Sequence, residues 1–466
     1  MIPRKIHFIG IGGAGMSAVA KLLIDSGSSV TGSDEAVYPP ISDFLKAEHI
    51  PYVNGYAAAN IPANTDAIVI GKNAKLVPET NDEVRAAYAS GKPIFSFPEI
   101  LAMLTKGKEV IVVAGSYGKS TCASLLTHVL MEQGKDPSYF IGAVPLTPPT
   151  SAHRGQSPFF VIEGDEYPSS NTDPRAKFSH YKPKHVLLVP LAHDHVNVYP
   201  TIEDYLRPFI ELSSQPETFV ACTEGPLSAA FVESLKRPMI TYGLNKGDYK
   251  AGNISWGETT SFDLLHRSRP VVRITTSQLG EHSIQNIVGV GAFILSLKAM
   301  SPEAFAKAVA SFKGVKRRLD RKSEKTSLPI FEGFGSSYEK ARSAIAAVKQ
   351  HFPDRRLVVV FEPHAFSWRN REAIGWYDTA FEGAEVVFVY EPATQGATTH
   401  AQLSKDEIVE RVEATGIRTM PLPPKGSAVL VAEEFQANDV VLLLTSGALG
   451  GLIEELPALA EKLFPA

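Results

Sequence analysis

Short runs of Val, Ile, Leu and Phe recur along the chain and alternate with segments of helical character. The runs with this form are residues 5–10, 67–70, 109–114, 159–163, 185–190, 357–361, 385–390 and 439–445. Apolar runs of this length suit strands that are buried on both faces, and strands separated by helices pair in parallel. The pattern therefore predicts an α/β fold built on parallel sheets.

Two boundaries divide the 466 residues into three expected domains. Gly-Lys-Pro at 91–93 and the polar stretch 105–109 precede a new strand, and Gly314 ends a helix expected at 302–312 and opens a basic run. We therefore expect domains at residues 1–107, 108–315 and 316–466. Residues 261–278 alternate polar and apolar side chains, which predicts a small antiparallel addition to the central sheet.

The charge and hydropathy of the chain disfavour two classes of partner. The 46 Lys and Arg residues against 50 Asp and Glu residues give a net charge of −4, which favours neither nucleic acid nor a membrane surface. The apolar runs are too short for a membrane span or a signal peptide. Two cysteines, Cys122 and Cys222, indicate a reducing compartment, and a single disulfide bond between them is the alternative. We expect a cytoplasmic protein.

The first glycine loop, Gly10-Ile-Gly-Gly-Ala-Gly15, lies between a predicted strand and a helix expected at 17–25. Its G-x-G-x-x-G spacing allows a tight turn, close approach of backbone amides to a diphosphate, and close helix–strand packing. Asp34 follows at the end of the expected second strand, where its carboxylate would accept hydrogen bonds from a ribose. The loop predicts a nucleotide with a diphosphate, with NAD as the default. The structural alternative is that the glycines serve packing alone.

The second glycine loop, Gly115-Ser-Tyr-Gly-Lys-Ser-Thr121, is a shortened phosphate loop. Val113 stands where the usual G-x-x-x-x-G-K-[ST] pattern has its first glycine. Lys119 would reach the β- and γ-phosphates, the Ser120 hydroxyl would bind Mg²⁺, and the amides of 117–121 would face the anion. The strand and helix expected on either side supply the context that the motif requires. The alternative is a strand-turn-helix that contains Gly-Lys-Ser by chance.

Acidic and imidazole side chains follow the next two expected strands. Glu163 ends one strand and is followed by two more acids, while Ala-His-Asp-His195 follows the other. Because ligands of open α/β sheets bind at the carboxyl ends of the strands, these groups should flank the Lys119 loop. Ser120, Glu163 and His195 are therefore a candidate set for a divalent metal, although each alone would be an ordinary polar residue.

Together these motifs resemble the Mur ligases, ATP-dependent amide-forming enzymes of bacterial cell-wall synthesis. The resemblance runs nearly end to end and rests on residues 7–17, 31–34, 114–121, Glu163-x-Asp-Glu166, Asp194-His195, Gly280-x-His-x-x-x-Asn286 and Gly314-x-x-Arg-Arg-Leu-Asp320. The shortened loop is similar to the Gly-Thr-x-Gly-Lys-Thr form of that family. The resemblance implies an α/β protein of three domains: a Rossmann-like domain for a UDP-sugar (1–107), a central P-loop-type ATPase sheet (108–315) and a C-terminal Rossmann-like domain for an amino acid or peptide (316–466).

The resemblance also implies which residues form the sites. The ATP-binding set is Ser116, Tyr117, Gly118, Lys119, Ser120, Thr121, His282 and Asn286. The Mg²⁺ ligands are Ser120, Glu163 and His195, and the catalytic set is Lys119, Glu163, His195 and Arg318. The diphosphate of UDP-N-acetylmuramate, in place of NAD, would lie on Gly12, Gly13, Ala14 and Gly15, with Asp34 nearby. The lactyl carboxylate would attack the γ-phosphate of ATP, and an amine would then displace phosphate from the acyl phosphate.

Finer stretches resemble one branch of the family, the murein peptide ligases. They are residues 36–42, 140–145, 157–163, 173–181 and 446–452. Those enzymes join L-alanyl-γ-D-glutamyl-meso-diaminopimelate to UDP-N-acetylmuramate in peptidoglycan recycling, and we expect that reaction here. The alternative within the family is UDP-N-acetylmuramate–L-alanine ligase. Alternatives from other classes are a non-catalytic nucleotide-binding paralogue and an NAD-dependent oxidoreductase. The oligomeric state stays open.

The third domain departs from the family pattern at the end of its first strand. Relatives carry Asp-Asp-[Tyr/Phe]-x-His-His-Pro there, whereas this chain reads Phe331-Glu-Gly-Phe-Gly-Ser-Ser-Tyr-Glu339. Either the domain binds its peptide and phosphate differently, or catalysis has weakened. The intact phosphate-loop and strand-end residues favour the first explanation, with Glu332 keeping one negative charge.

Overall fold

The computed structural model describes residues 2–38, 41–393 and 401–466, so Pro39 and Pro40 of the 36–42 stretch lie outside the described residues. The described residues divide into two compact units. The first unit consists of the chain up to Gly252, Asp263–Ile274 and Gln285–Phe312. The second unit consists of Asn253–Phe262, Thr275–Ile284 and the chain from Lys313 onward. Within the described ranges, no helix has the length and apolar content that a membrane span requires.

The first sheet is parallel throughout, in the strand order β3-β2-β1-β4-β5. Its strands are β1 (Lys5–Ile9), β2 (Ser29–Asp34), β3 (Tyr52–Asn54), β4 (Ala67–Ile70) and β5 (Ile94–Phe95), and its helices are α1 (Ala14–Asp25), α2 (Ile41–Ala47), α3 (Asp82–Ala89) and α4 (Phe97–Leu104). Strand β5 and helix α4 complete this sheet after α3.

A buried hydrogen-bond network centred on Glu83 joins β1 to α3. His7 Nε2 lies 2.7 Å from Glu83 Oε1, which also accepts a hydrogen bond from Ser33 Oγ at 2.7 Å. The Ala57 amide and Asn60 Nδ2 donate to Glu83 Oε2 at 3.0 and 2.9 Å. Burial alone would raise the Glu83 pKa, but the hydrogen bonds outweigh it and the pKa is lowered. Glu83 is therefore an anion whose partners come from several elements of the first sheet.

The second sheet has the strand order β15-β14-β13-β12-β11-β10-β6-β9-β7-β8. Its strands are β6 (Glu109–Ala114), β7 (Ser138–Phe140), β8 (Ala152–His153), β9 (Phe159–Gly164), β10 (His185–Leu188), β11 (Thr218–Cys222), β12 (Ile240–Tyr242), β13 (Tyr249–Ser255), β14 (Thr260–His266) and β15 (Arg269–Thr276). Its helices are α5 (Lys119–Glu132), α6 (Ile202–Ser213), α7 (Ser228–Ser234), α8 (Glu281–Ser296) and α9 (Pro302–Ser311). Strand β6 pairs in parallel with β9 on one side and β10 on the other. The alternating stretch at 261–278 forms most of β14 and β15 at one edge.

The third sheet has the strand order β16-β17-β21-β18-β19-β20. Its strands are β16 (Arg318–Arg321), β17 (Ile330–Phe334), β18 (Arg356–Phe361), β19 (Val386–Val389), β20 (Arg418–Pro421) and β21 (Asp439–Thr445), and its helices are α10 (Tyr338–His351), α11 (Phe366–Arg369), α12 (Lys405–Glu413), α13 (Ser427–Glu433) and α14 (Leu452–Leu463). Edge strand β16 is antiparallel to β17, and the other pairs are parallel. The three-domain α/β class is thus confirmed, while the boundaries at 107 and 315 stay predictions.

The stretch that departs from the family pattern forms β17 and the start of α10. Glu332 is buried and pairs with Lys322 at 2.7 Å, so its charge is compensated inside the third domain. The Ser337 hydroxyl caps α10 by accepting a hydrogen bond from the Lys340 amide. Lys340 Nζ also donates to Ser336 Oγ at 3.1 Å. Ser336 and Ser337, which stand where relatives have histidines, therefore both form hydrogen bonds with Lys340 in the first turn of α10.

We predict that Glu83→Ala destabilises the first sheet by about 2–4 kcal/mol at neutral pH, because it leaves His7 and Ser33 buried without their acceptor. The measurement is urea unfolding, with Glu35→Ala as the control, since Glu35 pairs with Lys75 in an exposed position. That control should change stability by no more than about 0.5 kcal/mol. Because the folded-state pKa of Glu83 is lowered, its contribution is present above the ordinary carboxyl pKa and fades as the pH falls through the lowered value. Equal stability of the two variants at neutral pH would contradict this account of the Glu83 hydrogen bonds.

Candidate functional site

Gly115 and Gly118 shape the loop between β6 and α5. Their φ angles are +133° and +92°, which glycine adopts without strain. A Cβ on Gly118 would overlap the side-chain oxygen of Asn286 from α8, and one on Gly115 would lie 2.6 Å from the carbonyl oxygen of Val189. Val113, where the longer motif has a glycine, lies inside β6. The turn starts only at Gly115, so the shorter loop needs no glycine at position 113.

The first half of this loop is held by the chain that follows β10. Ser116 Oγ donates to the Ala192 carbonyl and accepts from the Ala192 amide, both at 2.8 Å, and it lies 2.6 Å from the Tyr205 hydroxyl. The amides of Ser116 and Tyr117 donate to the Pro190 carbonyl at 2.9 and 3.4 Å. These groups are used within the chain, so the expected contacts of Ser116 and Tyr117 with ATP stay predictions.

Helix α5 begins at Lys119, directly after Gly118, and runs for 14 residues. The first amides of an α-helix, here those of Lys119, Ser120 and Thr121, have no acceptor within the helix. Together with the helix dipole they favour an anion at this end. The second half of the loop therefore has the geometry of a phosphate-binding site.

Lys119 and Glu166 form a buried ion pair that the sequence analysis did not predict. Lys119 Nζ donates to Glu166 Oε2 at 2.8 Å and to the Gly115 carbonyl at 2.6 Å. Burial opposes the charge of Lys119, but Glu166 outweighs it and the Lys119 pKa is raised. Glu166 Oε1 lies 3.4 Å from His195 Nε2, and this contact raises the His195 pKa. The available signal was the position of Glu166 in Glu163-x-Asp-Glu166, just beyond the end of β9.

The structure brings Glu163 and Ser120 together. Ser120 Oγ donates to Glu163 Oε1 at 2.8 Å, and the Gly142 amide donates to Glu163 Oε2 at 2.7 Å. Burial raises the pKa of the Glu163 carboxyl, although nearby Lys119 acts in the opposite direction. The hydroxyl and the carboxylate thus form a compact pair of oxygen donors beside the phosphate loop.

The donors of Ser120 and Glu163 fit Mg²⁺, a hard cation that takes one or two protein oxygens together with phosphate oxygens and water. His195 is held by Glu166 instead, so its ligation of a metal stays a prediction. In the parts of the chain that the structure describes, no three His, Cys, Asp or Glu side chains are arranged to hold a metal ion.

The first glycine loop is closed by Asp34. The Gly12 amide donates to Asp34 Oδ2 at 2.7 Å, and the Tyr56 hydroxyl donates to Asp34 Oδ1 at 3.2 Å. A Cβ on Gly12 would lie only 2.8 Å from the same Asp34 oxygen. Asp34 therefore holds the loop itself, in addition to the predicted contact with a nucleotide. Helix α1 begins at Ala14, three residues earlier than expected, so Gly15 lies in its first turn.

A cavity of about 200 Å³ reaches from the first loop to the end of β9. It is lined by Gly15, Phe97, Phe140, Gly142, Glu163, Asp165, Lys177 and Tyr181. Gly15 belongs to the loop expected to hold a diphosphate, and Glu163 to the pair of oxygen donors beside the phosphate loop. The cavity therefore lies between the first glycine loop and that pair of donors.

Of the remaining predicted residues, the structure places Asn286 at the phosphate loop. Its Oδ1 accepts from the thiol of Cys122 at 3.3 Å, and both Cys122 and Cys222 are buried and free. His282 and Arg318 belong to the second compact unit and are exposed. The Arg318 guanidinium lies 5.3 Å from the centre of the Phe334 ring. The expected contacts of His282 with adenine and of Arg318 with phosphate stay predictions.

We predict that Gly118→Ala weakens ADP binding by about 10-fold or more, measured by isothermal titration calorimetry. The left-handed backbone costs an alanine about 1–2 kcal/mol, and the added Cβ overlaps Asn286. Gly134→Ala is the matched control, because Gly134 follows the other end of α5 at φ +68° in open space. Equal ADP affinity in the two variants would show that the close approach to Asn286 does not matter.

Two family models match the chain. Residues 5–109 match the Mur ligase family, catalytic domain, and residues 113–294 match the Mur ligase middle domain. The UDP-N-acetylmuramate–L-alanine ligase of Endomicrobium trichonymphae is 30% identical over 98% of this chain and 99% of its own length.

Solved structures share the fold. The UDP-N-acetylmuramate–alanine ligase of Thermotoga maritima matches with a TM-score of 0.78 and 22% identity over 98% of this chain and 99% of that one. The UDP-N-acetylmuramate:L-alanyl-γ-D-glutamyl-meso-diaminopimelate ligase of Neisseria meningitides matches with a TM-score of 0.61 and 32% identity over 67% of this chain and 99% of that one. These likenesses agree with the α/β class expected from the sequence.

Proposed function

The chain belongs to the Mur ligase family of ATP-dependent amide ligases, and on that premise we propose that it joins UDP-N-acetylmuramate to L-alanine. The observation that carries the proposal is the cavity that reaches from the first glycine loop to Glu163, beside the phosphate loop. An acid bound through its diphosphate at one end would meet the γ-phosphate of ATP at the other.

The choice of L-alanine follows the relatives of full length. UDP-N-acetylmuramate–L-alanine ligases are 27–30% identical over 98% of this chain. These relatives favour coupling to L-alanine, the alternative in the sequence analysis, over coupling to the tripeptide, which was the first expectation there.

The tripeptide reaction is the second candidate, and one observation favours it. The solved Neisseria meningitides ligase, whose name gives the tripeptide as its substrate, is 32% identical to this chain over the region that matches. The altered third-domain stretch around Glu332 belongs to the part proposed to bind the amine. Its sequence alone does not choose between a single amino acid and a peptide.

The proposed binding positions follow the two loops. The amides at the start of α1, from Gly13 to Gly15, would hold the diphosphate of the UDP-sugar, and the start of α5 would hold the phosphates of ATP. Lys119 would exchange Glu166 and the Gly115 carbonyl for phosphate oxygens, so its charge would stay compensated. Residues 1–107, 108–315 and 316–466 would bind the UDP-sugar, ATP and the amine, respectively.

The proposed reaction has two steps. A carboxylate oxygen of the muramyl group attacks the γ-phosphorus of ATP, and ADP leaves. The amine then attacks the acyl phosphate, loses a proton and expels inorganic phosphate, which leaves the amide. A divalent ion bound by Ser120 and Glu163 would neutralise negative charge on the phosphates. Lys119, once it has exchanged Glu166 for phosphate oxygens, would neutralise that charge as well.

The alternatives from other classes are less well supported. Membership of a ligase family argues against an NAD-dependent oxidoreductase. A non-catalytic paralogue would have little reason to keep Lys119, Ser120, Glu163 and Glu166 in one hydrogen-bonded arrangement.

The experiment incubates the protein with ATP, Mg²⁺ and UDP-N-acetylmuramate, adding either L-alanine or the tripeptide, and records phosphate release and product mass. We predict amide formation with L-alanine, and phosphate release only when acid and amine are both present. Product with the tripeptide alone would reject L-alanine in favour of the second candidate. No phosphate release with either amine would contradict the ligase proposal.

A further inference from the structure

We propose that Lys177 and Lys72 bind the carboxylate of the acid substrate at the cavity between the first glycine loop and Glu163. The inference rests on the proposed function, because it assigns residues to the muramyl carboxylate. Neither lysine has a part in the two glycine loops or in the strand-end set that the sequence analysis singled out.

Lys177 lines the cavity from the central domain. Its ammonium group pairs with Asp165 and lies 5.2 Å from the centre of the Phe97 ring. The side chain is 14% exposed, so most of its aliphatic part is packed while its charge faces the cavity lining. Asp165 and Glu163 line the same cavity, so an anionic substrate would meet two carboxylates there unless a cation offset them.

Lys72 adds a second cation from the first domain, just after β4. Its Nζ lies 4.2 Å from the centre of the Tyr167 ring, and Lys177 Nζ lies 5.8 Å from the same ring. Burial and, next, the charge of Lys177 lower the Lys72 pKa, while Asp165 acts in the opposite direction. Within the described residues, Lys72 forms no ion pair with a carboxylate. Two ammonium groups thus share one aromatic ring and one nearby carboxylate, and a further anion would relieve their repulsion.

The loops that carry the two lysines are joined by hydrogen bonds. Asn171 Nδ2 donates to the carbonyl oxygens of Asn73 and Leu76 at 2.8 and 3.1 Å. Asn73 directly follows Lys72, and Asn171 lies in the loop between Tyr167 and Lys177. The backbone segments that carry the two lysines are therefore joined, and Asp165 holds the Lys177 ammonium group, which lowers the entropic cost of binding.

Lys119 is not the cation that binds the substrate carboxylate in this proposal. It is bound to Glu166 and lies at the start of α5, where phosphate oxygens would be held. Binding the acid requires a cation on the cavity side of Glu163, and Lys177 meets that requirement. The carboxylate would thereby be held close to the phosphate it attacks without taking Lys119 from ATP.

The test compares two ligands by titration calorimetry without ATP. UDP-N-acetylmuramate carries the lactyl carboxylate, and UDP-N-acetylglucosamine has the same uridine diphosphate without it. We expect Lys177→Met and Lys72→Met each to bind UDP-N-acetylmuramate about 10-fold or more weakly, as loss of a charged hydrogen-bonding partner predicts. Both variants should bind UDP-N-acetylglucosamine as the wild type does, and Lys177→Arg should recover most of the affinity for UDP-N-acetylmuramate.

Lys135→Met is the matched control, since Lys135 Nζ lies 5.5 Å from the Phe159 ring at the opposite end of β9. It should change neither affinity. If Lys177→Met fails to fold, as judged by its melting curve, Lys72→Met carries the test, because its contact with Tyr167 is partly exposed. Equal weakening of both ligands would assign the lysines to the diphosphate and overturn the proposal, as would unchanged binding of UDP-N-acetylmuramate. Wild-type protein that binds no UDP-N-acetylmuramate would overturn the proposed function first, and this inference with it.

Discussion

Strand β6 lies between β9 and β10 in a parallel sheet, and the arrangement of the site follows from that position. The carboxyl ends of parallel strands meet at one edge, so the loop after β6 emerges between the chain segments that follow its two neighbours. One neighbour supplies Glu163 and Glu166, and the other supplies the segment that holds Ser116 and carries His195. Strand order brings Ser120 and Glu163 within hydrogen-bonding distance, and the loops after β9 and β10 add Glu166 and His195.

Three polar side chains at this edge have carboxylate partners within the chain. Lys119 is bound to Glu166, Ser120 to Glu163, and Lys177 to Asp165. Buried charges are stable only with partners in good geometry, and the fold supplies Glu166 for Lys119 and Asp165 for Lys177. Groups that are already oriented need little reorganisation when phosphate charge develops, which is the main source of rate enhancement in reactions of this kind. The same pairs explain why the site can hold a dense set of ionised groups at the edge of an apolar sheet.

The sequence predicts the strands and the strand-end residues well, but helix starts and side-chain partners poorly. Helix α1 begins at Ala14, three residues before the expected start, because the first residues of a helix need not show an apolar period. Strand β5 has two residues and therefore no pattern to detect. The partners Glu166 and Lys177 depend on the path of the loops after β9, which local propensity does not determine. Ser120 and Glu163 were predictable together because strand order alone brings them close.

The central claim is that ATP activates the substrate carboxylate as an acyl phosphate, and an isotope label tests it most directly. UDP-N-acetylmuramate with ¹⁸O in both oxygens of its lactyl carboxylate is converted in the presence of ATP, Mg²⁺ and the amine, and the released phosphate is weighed. In the proposed reaction the attacking carboxylate oxygen stays with phosphorus when the amine expels phosphate, so each phosphate gains one ¹⁸O. Amide formation with unlabelled phosphate would contradict the account.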